Sequence, residues 1–184
     1  MNKIFAVYDK QTIRVYQAYR DAIADEAIEK GTFGESFKLD RMTWIKPSFL
    51  WMMYRSGWAT KAGQTRVLAI DIKRSGFDFI VKNAVLSTFS KEVHGTKENW
   101  KEELKKSKIR CQWDPERDIY GNALAHRTIQ LGIKGKASWD YVYDWIVNIT
   151  EITQTVTDIR EAIAEKRFSN DMLPVELEYP EIGG

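Results

Sequence analysis

The stretch TIRVYQAYRDAIADEAIEKGTF, residues 12–33, changes its pattern in the middle. Its beginning, TIRVYQAY, is rich in β-branched and aromatic side chains, which is typical of a β-strand. From Asp21 onward apolar residues recur at helical spacing, and Gly31 is the expected end of the helix. The preceding segment KIFAVYD, residues 3–9, has the same strand-like composition. The chain is therefore expected to begin with two strands and a helix.

The patterns farther along the chain predict a mixed α+β fold. Strands are expected at 65–73, 109–113 and 126–133, with a long polar connection over 112–125. Helices are expected at 47–56, 75–89, 91–108, 137–149 and 153–166. We predict a single domain over residues 1–168, with about five or six strands and flanking helices. The acidic, proline-containing tail 169–184 either extends from it or docks as an edge strand.

Composition limits the function classes. With 43% hydrophobic and 29% charged residues, the 184-residue chain is typical of a globular protein. No apolar run is long enough to cross a bilayer and no secretory signal is visible, so we expect a soluble cytoplasmic protein without membrane contact. One cysteine, Cys111, and two histidines exclude a multi-cysteine zinc site, and no metal is expected. The net charge of +2 requires any attraction for phosphate to be local.

The segment 41–70 contains no Asp or Glu, although cations and aromatic residues alternate along it. Aromatic faces stack on bases or on a nicotinamide ring at roughly 1–3 kcal/mol each, while Arg and Lys bind phosphates. The helix expected to start near Pro47 also offers free backbone N–H groups to an anion. The candidate binding residues are Arg41, Lys46, Ser48, Trp51, Tyr54 and Arg55. Alternatively, the apolar side chains are core and the cations extend outward to solvent.

A second group of polar residues follows the strand expected at 109–113. In an extended chain Gln112 and Asp114 share one face, so an amide can orient a carboxylate. Such a carboxylate, or the neighbouring Glu116, can stabilise a developing cation or act as a general base. Gln112, Asp114 and Glu116 are therefore the catalytic candidates. The alternative is a proline-containing turn with charged surface residues.

The second predicted strand carries polar side chains that need partners if they are buried. Arg14 points to one face, and Gln17 and Tyr19 point to the opposite face. A buried polar side chain requires a ligand, water or another polar group, which makes these residues candidates for binding. Exposure at the edge of a sheet would explain them equally well.

Several blocks of the sequence closely resemble the family called domain of unknown function 4291. They are VYQAYRDAIADEAIEKGTF, DRMTWIKPSFLWMMYRSGWATK, RVLAIDIKRSGF, QWDPERD, RTIQLGI and DWIVNITEIT. The resemblance covers roughly residues 3–155, and the block around WIKPSFLWMMYRSGW is its most specific part. Membership in this family implies no particular activity.

The layout of the first block is also similar to that of ADP-ribosyltransferases, in which a strand ending in Tyr-His-Gly-Thr precedes a helix. Gln17, Ala18 and Tyr19 stand in place of His, Gly and Thr. This resemblance implies NAD as substrate, bound by Gln17 and Tyr19. It also implies that Trp51 and Tyr54 pack on the nicotinamide ring. Asp114 or Glu116 would orient the acceptor and stabilise an oxocarbenium-like transition state.

Three functions are consistent with the sequence. The first is transfer of ADP-ribose from NAD to a nucleic-acid base or a protein side chain. The second is non-catalytic binding of RNA or single-stranded DNA through residues 41–66, and the third is an enzyme acting on a nucleotide or another phosphorylated small molecule. No glycine-rich phosphate loop follows a predicted strand and no GxSxG motif is present, which argues against a Rossmann, P-loop or serine-hydrolase enzyme. The oligomeric state is left open.

Overall fold

The computed structural model describes residues 2–183, and Met1 and Gly184 lie outside the described part. The strands are β1 (Phe5–Ala6), β2 (Thr12–Tyr19), β3 (Thr43–Ile45), β4 (Arg66–Lys73), β5 (Val85–Leu86), β6 (Ile109–Arg117), β7 (Ala123–Ile133), β8 (Ile146–Glu151) and β9 (Leu177–Glu178). The helices are α1 (Asp21–Lys30), α2 (Phe49–Ser56), α3 (Arg74–Asn83), α4 (Lys91–His94), α5 (Lys97–Lys106), α6 (Lys136–Asp140) and α7 (Thr153–Ala164). A π-helical turn, Tyr141–Trp145, follows α6, and a 3-10 turn, Asn170–Met172, precedes β9.

Two larger sheets form the frame of the domain. One is antiparallel with the order β2-β4-β8, and the other has the order β3-β7-β6-β5, with β5 parallel to its neighbour. An isolated bridge between Tyr16 and Lys46 joins them, and in it the Tyr16 amide donates to the Lys46 carbonyl at 2.8 Å. Strands β1 and β9 form a separate small sheet. The predicted α+β class and single domain are confirmed.

Strand β4 is buried on both faces, which explains its continuous apolar sequence. Leu68, Ile70 and Ile72 belong to the main core, which includes residues of α1, α3 and the β7 sheet. Val67 and Ala69 point to the opposite face and pack in a second core with residues of α2 and α7. The β2-β4-β8 sheet is therefore covered by helices on one side and by the other sheet and helices on the other.

The helix predicted over 137–149 is wrong in its second half. Helix α6 ends at Asp140, and after the π-helical turn the chain becomes strand β8, which pairs antiparallel with β4. Val142 and Ile146 are four residues apart, as in a helix. The residues from Ile146 onward are rich in β-branched side chains, however, and they form the edge strand of the β2-β4-β8 sheet. Pairing with a strand far away in sequence decides the conformation here.

The long polar connection predicted over 112–125 is also wrong, because β6 and β7 form a hairpin with only residues 118–122 between them. The side chain of Asp118 accepts hydrogen bonds from the Tyr120 and Asn122 amides, each at 2.9 Å. Gly121 supplies a left-handed conformation with φ of 86°. An irregularity between Pro115 and Arg117 accommodates the proline within the ladder.

The acidic segment after residue 168 docks on the domain, which was one of the two alternatives drawn from its sequence. Leu177–Glu178 pairs with β1, and Tyr179 is buried. The Tyr179 hydroxyl accepts from Arg74 Nε at 3.0 Å and donates to Asp78 at 2.8 Å. Among residues 2–183, no helix has the length and apolar character needed to cross a membrane.

Gly76 allows α3 to pack closely on Trp145, and this contact generates a prediction. A Cβ at residue 76 would lie 2.5–2.8 Å from ring atoms of Trp145. Gly76→Ala should therefore lower the free energy of unfolding by roughly 1–3 kcal/mol, although Ala is the better helix former. Urea unfolding measures this, with exposed Ser75→Ala in the same helix as the control. A Gly76→Ala variant as stable as the wild type would contradict the close packing.

Candidate ligand-binding cleft

A cleft of about 650 Å³ lies where the end of β2, the start of α1, β3, α2, β6 and β7 meet. It is lined by five cations, and none of its described lining residues is Asp or Glu. The cations are Arg20, Lys38, Arg41, Lys46 and Arg55. Uncharged polar groups, including Gln17, Tyr19, Gln112 and Gln130, also contribute to the lining. The cleft therefore presents positive charge and hydrogen-bonding groups to whatever enters it.

Gln17 holds one wall of the cleft in place. Its amide nitrogen donates to Thr43 Oγ1 at 2.7 Å and to the Tyr19 hydroxyl at 2.8 Å. Its amide oxygen accepts from the Tyr141 hydroxyl at 2.7 Å, so this buried amide is satisfied within the protein. Burial raises the pKa of Tyr19 to about 12, which keeps its hydroxyl protonated at neutral pH. The network ties β2 to β3 and to the π-helical turn.

Lys46 is a buried amine on the cleft wall, with 6% of the residue exposed. Its Nζ donates to the carbonyl oxygen of Trp44 at 3.1 Å. Among residues 2–183, no carboxylate lies within ion-pair distance of this amine. Burial, and secondarily the charge of Arg55, lower the pKa of Lys46 to about 7, while Asp114 opposes the shift. A substantial fraction of the amine is therefore neutral near pH 7.

Asp114 lies behind two glutamines of the cleft wall. Gln112 Nε2 donates to Asp114 Oδ1 at 2.9 Å, and Gln130 Nε2 donates to Asp114 Oδ2 at 2.8 Å. Gln112 and Gln130 are direct partners in the β6–β7 register, which brings both amides to one carboxylate. Both nitrogens are directed to Asp114, and the Gln112 amide oxygen accepts from Ser87 Oγ at 3.4 Å, which leaves the Gln130 amide oxygen and a second lone pair of the Gln112 oxygen to accept from another group. The predicted pairing of Gln112 with Asp114 is present in the structure.

Some of the lining residues were not singled out from the sequence. They are Arg20, Lys38, Gln64 and Gln130. Trp44, one of the aromatic residues of the candidate segment 41–66, also lines the cleft. Trp44 packs against Gly132 of the neighbouring strand, where a Cβ would lie 3.0 Å from two ring carbons. The aromatic composition of the segment was a signal for Trp44, whereas Gln130 carries no signal until its register with β6 is known.

Trp51 and Tyr54 lie outside the cleft. Their rings stack on each other with centroids 5.1 Å apart, and the guanidinium of Arg117 lies 4.0 Å from the Tyr54 ring centroid. Trp51 is 7% exposed, so its ring is part of the packing between α2 and the β6–β7 hairpin. The continuous ligand surface expected along residues 41–66 is thus divided, with Arg41, Lys46 and Arg55 in the cleft.

The N-terminus of α2, expected to attract an external anion, is occupied by a side-chain carboxyl group of the chain itself. Glu176 Oε1 accepts from the Phe49 amide at 2.7 Å, and Ser48 Oγ accepts from the Trp51 amide at 3.0 Å. Ser48, Glu116 and Glu176 line a separate pocket of about 210 Å³. Glu116 is therefore not a neighbour of Gln17 in the main cleft. Within the described chain, no three His, Cys, Asp or Glu side chains are grouped to hold a metal ion.

Arg14 also lies away from the cleft. Its guanidinium forms a two-pronged ion pair with Asp71 on the adjacent strand, with distances of 2.8 and 3.0 Å. Asp71 is thus the polar partner of Arg14, which could not be identified from the sequence.

A model of the family described as domain of unknown function (DUF4291) matches residues 3–179 of the chain. The chain belongs to this family. The DUF4291 match confirms the resemblance noted in the sequence and extends it through β9. All elements that form the cleft lie inside the DUF4291 region. No curated protein matches the chain significantly.

The carboxyl of Glu176 generates a prediction about the pH dependence of stability. Burial, with the nearby charge of Glu116, raises the pKa of Glu176 from 4.5 to about 8 despite the opposing Phe49 hydrogen bond. The protonated form is favoured in the folded state, so its stabilising contribution is present below about pH 4.5 and is lost as pH rises through about 8. Glu176→Gln keeps an acceptor for Phe49 and removes this titration.

We therefore expect wild-type stability to fall relative to Glu176→Gln by roughly 3 kcal/mol between pH 5 and pH 8. Urea unfolding at the two pH values measures the difference. Exposed Glu178→Gln on the same segment is the matched control and should track the wild type. Parallel pH profiles for wild type and Glu176→Gln would show that this carboxyl is not buried as described.

Proposed function

We propose that the cleft binds a phosphate-bearing ligand of nucleotide size and that the chain is an enzyme acting on this ligand. The observation that carries the proposal is the gathering of five cations around a cavity whose described lining contains no carboxylate. Like charges repel in the free protein, and an anion relieves that repulsion while it accepts charge-assisted hydrogen bonds. A volume of about 650 Å³ is within the usual range for small-molecule sites.

The reaction that we propose is transfer of ADP-ribose from NAD. The resemblance of residues 15–33 to the first block of ADP-ribosyltransferases supports it, as does the position of Gln17 and Tyr19 on the cleft wall. The cations would bind the pyrophosphate, and Trp44 offers the aromatic surface at the cleft for a flat ring. Since the Gln17 amide is already hydrogen-bonded within the protein, its contribution would be to hold Tyr19 and Thr43 in position.

In this reaction the acceptor nucleophile forms a bond to the ribose carbon that carries nicotinamide. The glycosidic C–N bond breaks, and nicotinamide leaves with the bonding electrons. Positive charge develops on the sugar, and nearby oxygens stabilise it. The amide oxygen of Gln130 is suited to this role, because the Gln130 nitrogen donates to Asp114. The Gln112 oxygen can contribute through its second lone pair, since its first accepts from Ser87. Asp114 is favoured over Glu116 as the important carboxylate, since Glu116 lines the separate pocket.

The acceptor that we propose is a nucleic-acid base or a protein side chain. A purely binding module for RNA or single-stranded DNA has less support, because such modules stack bases on exposed rings along a basic groove. Phe49 and Trp51 are buried, and Arg117 lies over the ring of Tyr54. The basic surface of the cleft surrounds a volume of about 650 Å³, the size of a small-molecule site, and does not extend along α2 to Trp51 and Tyr54.

Ligand binding tests the first part of the proposal. ADP-ribose should bind saturably, and Arg41→Ala or Arg55→Ala should weaken binding by about tenfold or more, as expected for loss of a charge-assisted hydrogen bond. Isothermal titration calorimetry measures the affinity. Lys61→Ala is the control, because this cation belongs to the same segment but lies over Tyr54 outside the cleft. Equal losses in the control and the cleft variants would argue against a defined phosphate site.

The reaction itself is tested with labelled NAD and mixed nucleic-acid and protein acceptors. We expect release of nicotinamide with transfer of label, and a loss of about 100-fold or more in Asp114→Ala, as for removal of one electrostatic group. Glu116→Ala should stay within about threefold of the wild type, because Glu116 lines another pocket. ADP-ribose binding without turnover of NAD would retain the phosphate site and reject this chemistry.

A further inference from the structure

Lys46 differs from the other cations of the cleft in how firmly it is held. Its backbone carbonyl accepts the Tyr16 amide at 2.8 Å in the bridge that joins the two larger sheets. Pro47 follows it and restricts its backbone to an extended conformation. Arg20, Lys38, Arg41 and Arg55 are exposed residues, whereas Lys46 is buried. The amine is therefore placed at a defined point of the wall, with little freedom to move into solvent.

The surroundings of this amine are suited to a nucleophile rather than to a structural cation. A buried structural lysine is normally neutralised by a carboxylate, but the described partner of Nζ is only the Trp44 carbonyl. The nearby Arg55 disfavours a second positive charge, and Asp114 directs its oxygens to Gln112 and Gln130. A desolvated amine next to another cation is the arrangement that activates lysines for attack on carbonyl compounds.

We propose that Lys46 forms an imine with the aldehyde or ketone carbon of a phosphorylated carbonyl compound bound in the cleft. The exposed cations would hold the phosphate, and the glutamine amide oxygens would accept hydrogen bonds from hydroxyl groups of the ligand. The inference rests on the phosphate-binding part of the proposed function and adds the class of ligand and a covalent step. ADP-ribose belongs to this class, because its terminal ribose has an open-chain aldehyde form.

The covalent step is balanced without an oxidant or a reductant. The Nζ lone pair forms a bond to the carbonyl carbon, and the π electrons of the C=O bond move to oxygen. Proton transfer from nitrogen to oxygen gives a neutral carbinolamine. The C–O bond then breaks as the C=N bond forms, and the oxygen leaves as water with both amine protons. Reduction of the imine by added borohydride gives a stable secondary amine that marks the residue.

Pyridoxal 5′-phosphate is a suitable probe, because it combines a phosphate, a flat ring and an aldehyde. The full-length protein is mixed with an equimolar amount of the probe, reduced with borohydride and digested, and the labelled peptides are measured by mass spectrometry. The peptide with Lys46 should carry more label than that with Lys38 by about tenfold or more, because a neutral amine reacts and a protonated one does not. ADP-ribose should protect Lys46.

Matched probes and variants separate this inference from the phosphate site. 5′-Deoxypyridoxal, which keeps the aldehyde but has neither the phosphate nor a hydroxyl that would close on the aldehyde, should label Lys46 several times more slowly, and pyridoxamine 5′-phosphate, which lacks the aldehyde, should bind reversibly. Lys46→Arg keeps the positive charge but should lose the label, whereas exposed Lys61→Arg should retain it. Mapping of the label on the wild-type chain gives the same answer if Lys46→Arg does not fold.

Three results would overturn the inference. In the first, pyridoxamine 5′-phosphate binds and Arg41→Ala weakens this binding, but Lys46 carries no more label than Lys38. The phosphate site is then supported and the imine is rejected. If 5′-deoxypyridoxal labels Lys46 as fast as pyridoxal 5′-phosphate does, Lys46 is reactive toward aldehydes in general and the cleft does not select phosphorylated ones. If neither pyridoxal 5′-phosphate nor pyridoxamine 5′-phosphate binds, both this inference and the phosphate site on which it rests are rejected.

Discussion

The hydrogen bond from the Tyr16 amide to the Lys46 carbonyl joins the two larger sheets, and the cleft depends on this junction. Strand β3 is only three residues long and would be a weak element by itself. The junction, together with the buried hydrogen bond from Gln17 to Thr43, attaches β3 to β2, and the hydrogen bond from Tyr141 to Gln17 attaches the π-helical turn to the same strand. The cations of the segment after β2 are thereby brought to the same wall as the glutamines of β6 and β7.

The cations of the segment 41–70 fall into two groups in the folded protein, one with ion pairs and one without. Arg66 forms ion pairs with Glu151 and Asp25, which come from distant parts of the chain. Arg41 and Arg55, by contrast, line the cleft without an ion pair among the described residues. Uncompensated positive charge destabilises a folded protein, and its retention beside a cavity is typical of a site that binds anions. This contrast is the main reason for our proposal that the cleft binds a phosphate-bearing ligand.

Much of the local structure could be predicted from the sequence. Residues 12–19 and 66–73 are strands as their composition indicated, and α1 and α2 end at Gly31 and Gly57, both with left-handed backbones. The prediction failed at β8, where pairing with β4 prevails over helical spacing, and at the β6–β7 hairpin. In both places the deciding hydrogen bonds involve partners that local pattern cannot identify, which is the usual limit of propensity.

The α+β class, the family and the absence of carboxylates from residues 41–70 could be read from the sequence. The sequence offered the pairing of Gln112 with Asp114 as one of two alternatives, and the structure shows it. Which of the candidate residues share a site became clear from the packing of the elements. The tertiary structure buried Trp51 in the packing of α2, placed Glu116 in another pocket and brought Gln130 to Asp114. The physical reason is that strand and helix periodicity sets the direction of a side chain along its own element, whereas neighbours in a cleft come from elements joined by long-range pairing and burial.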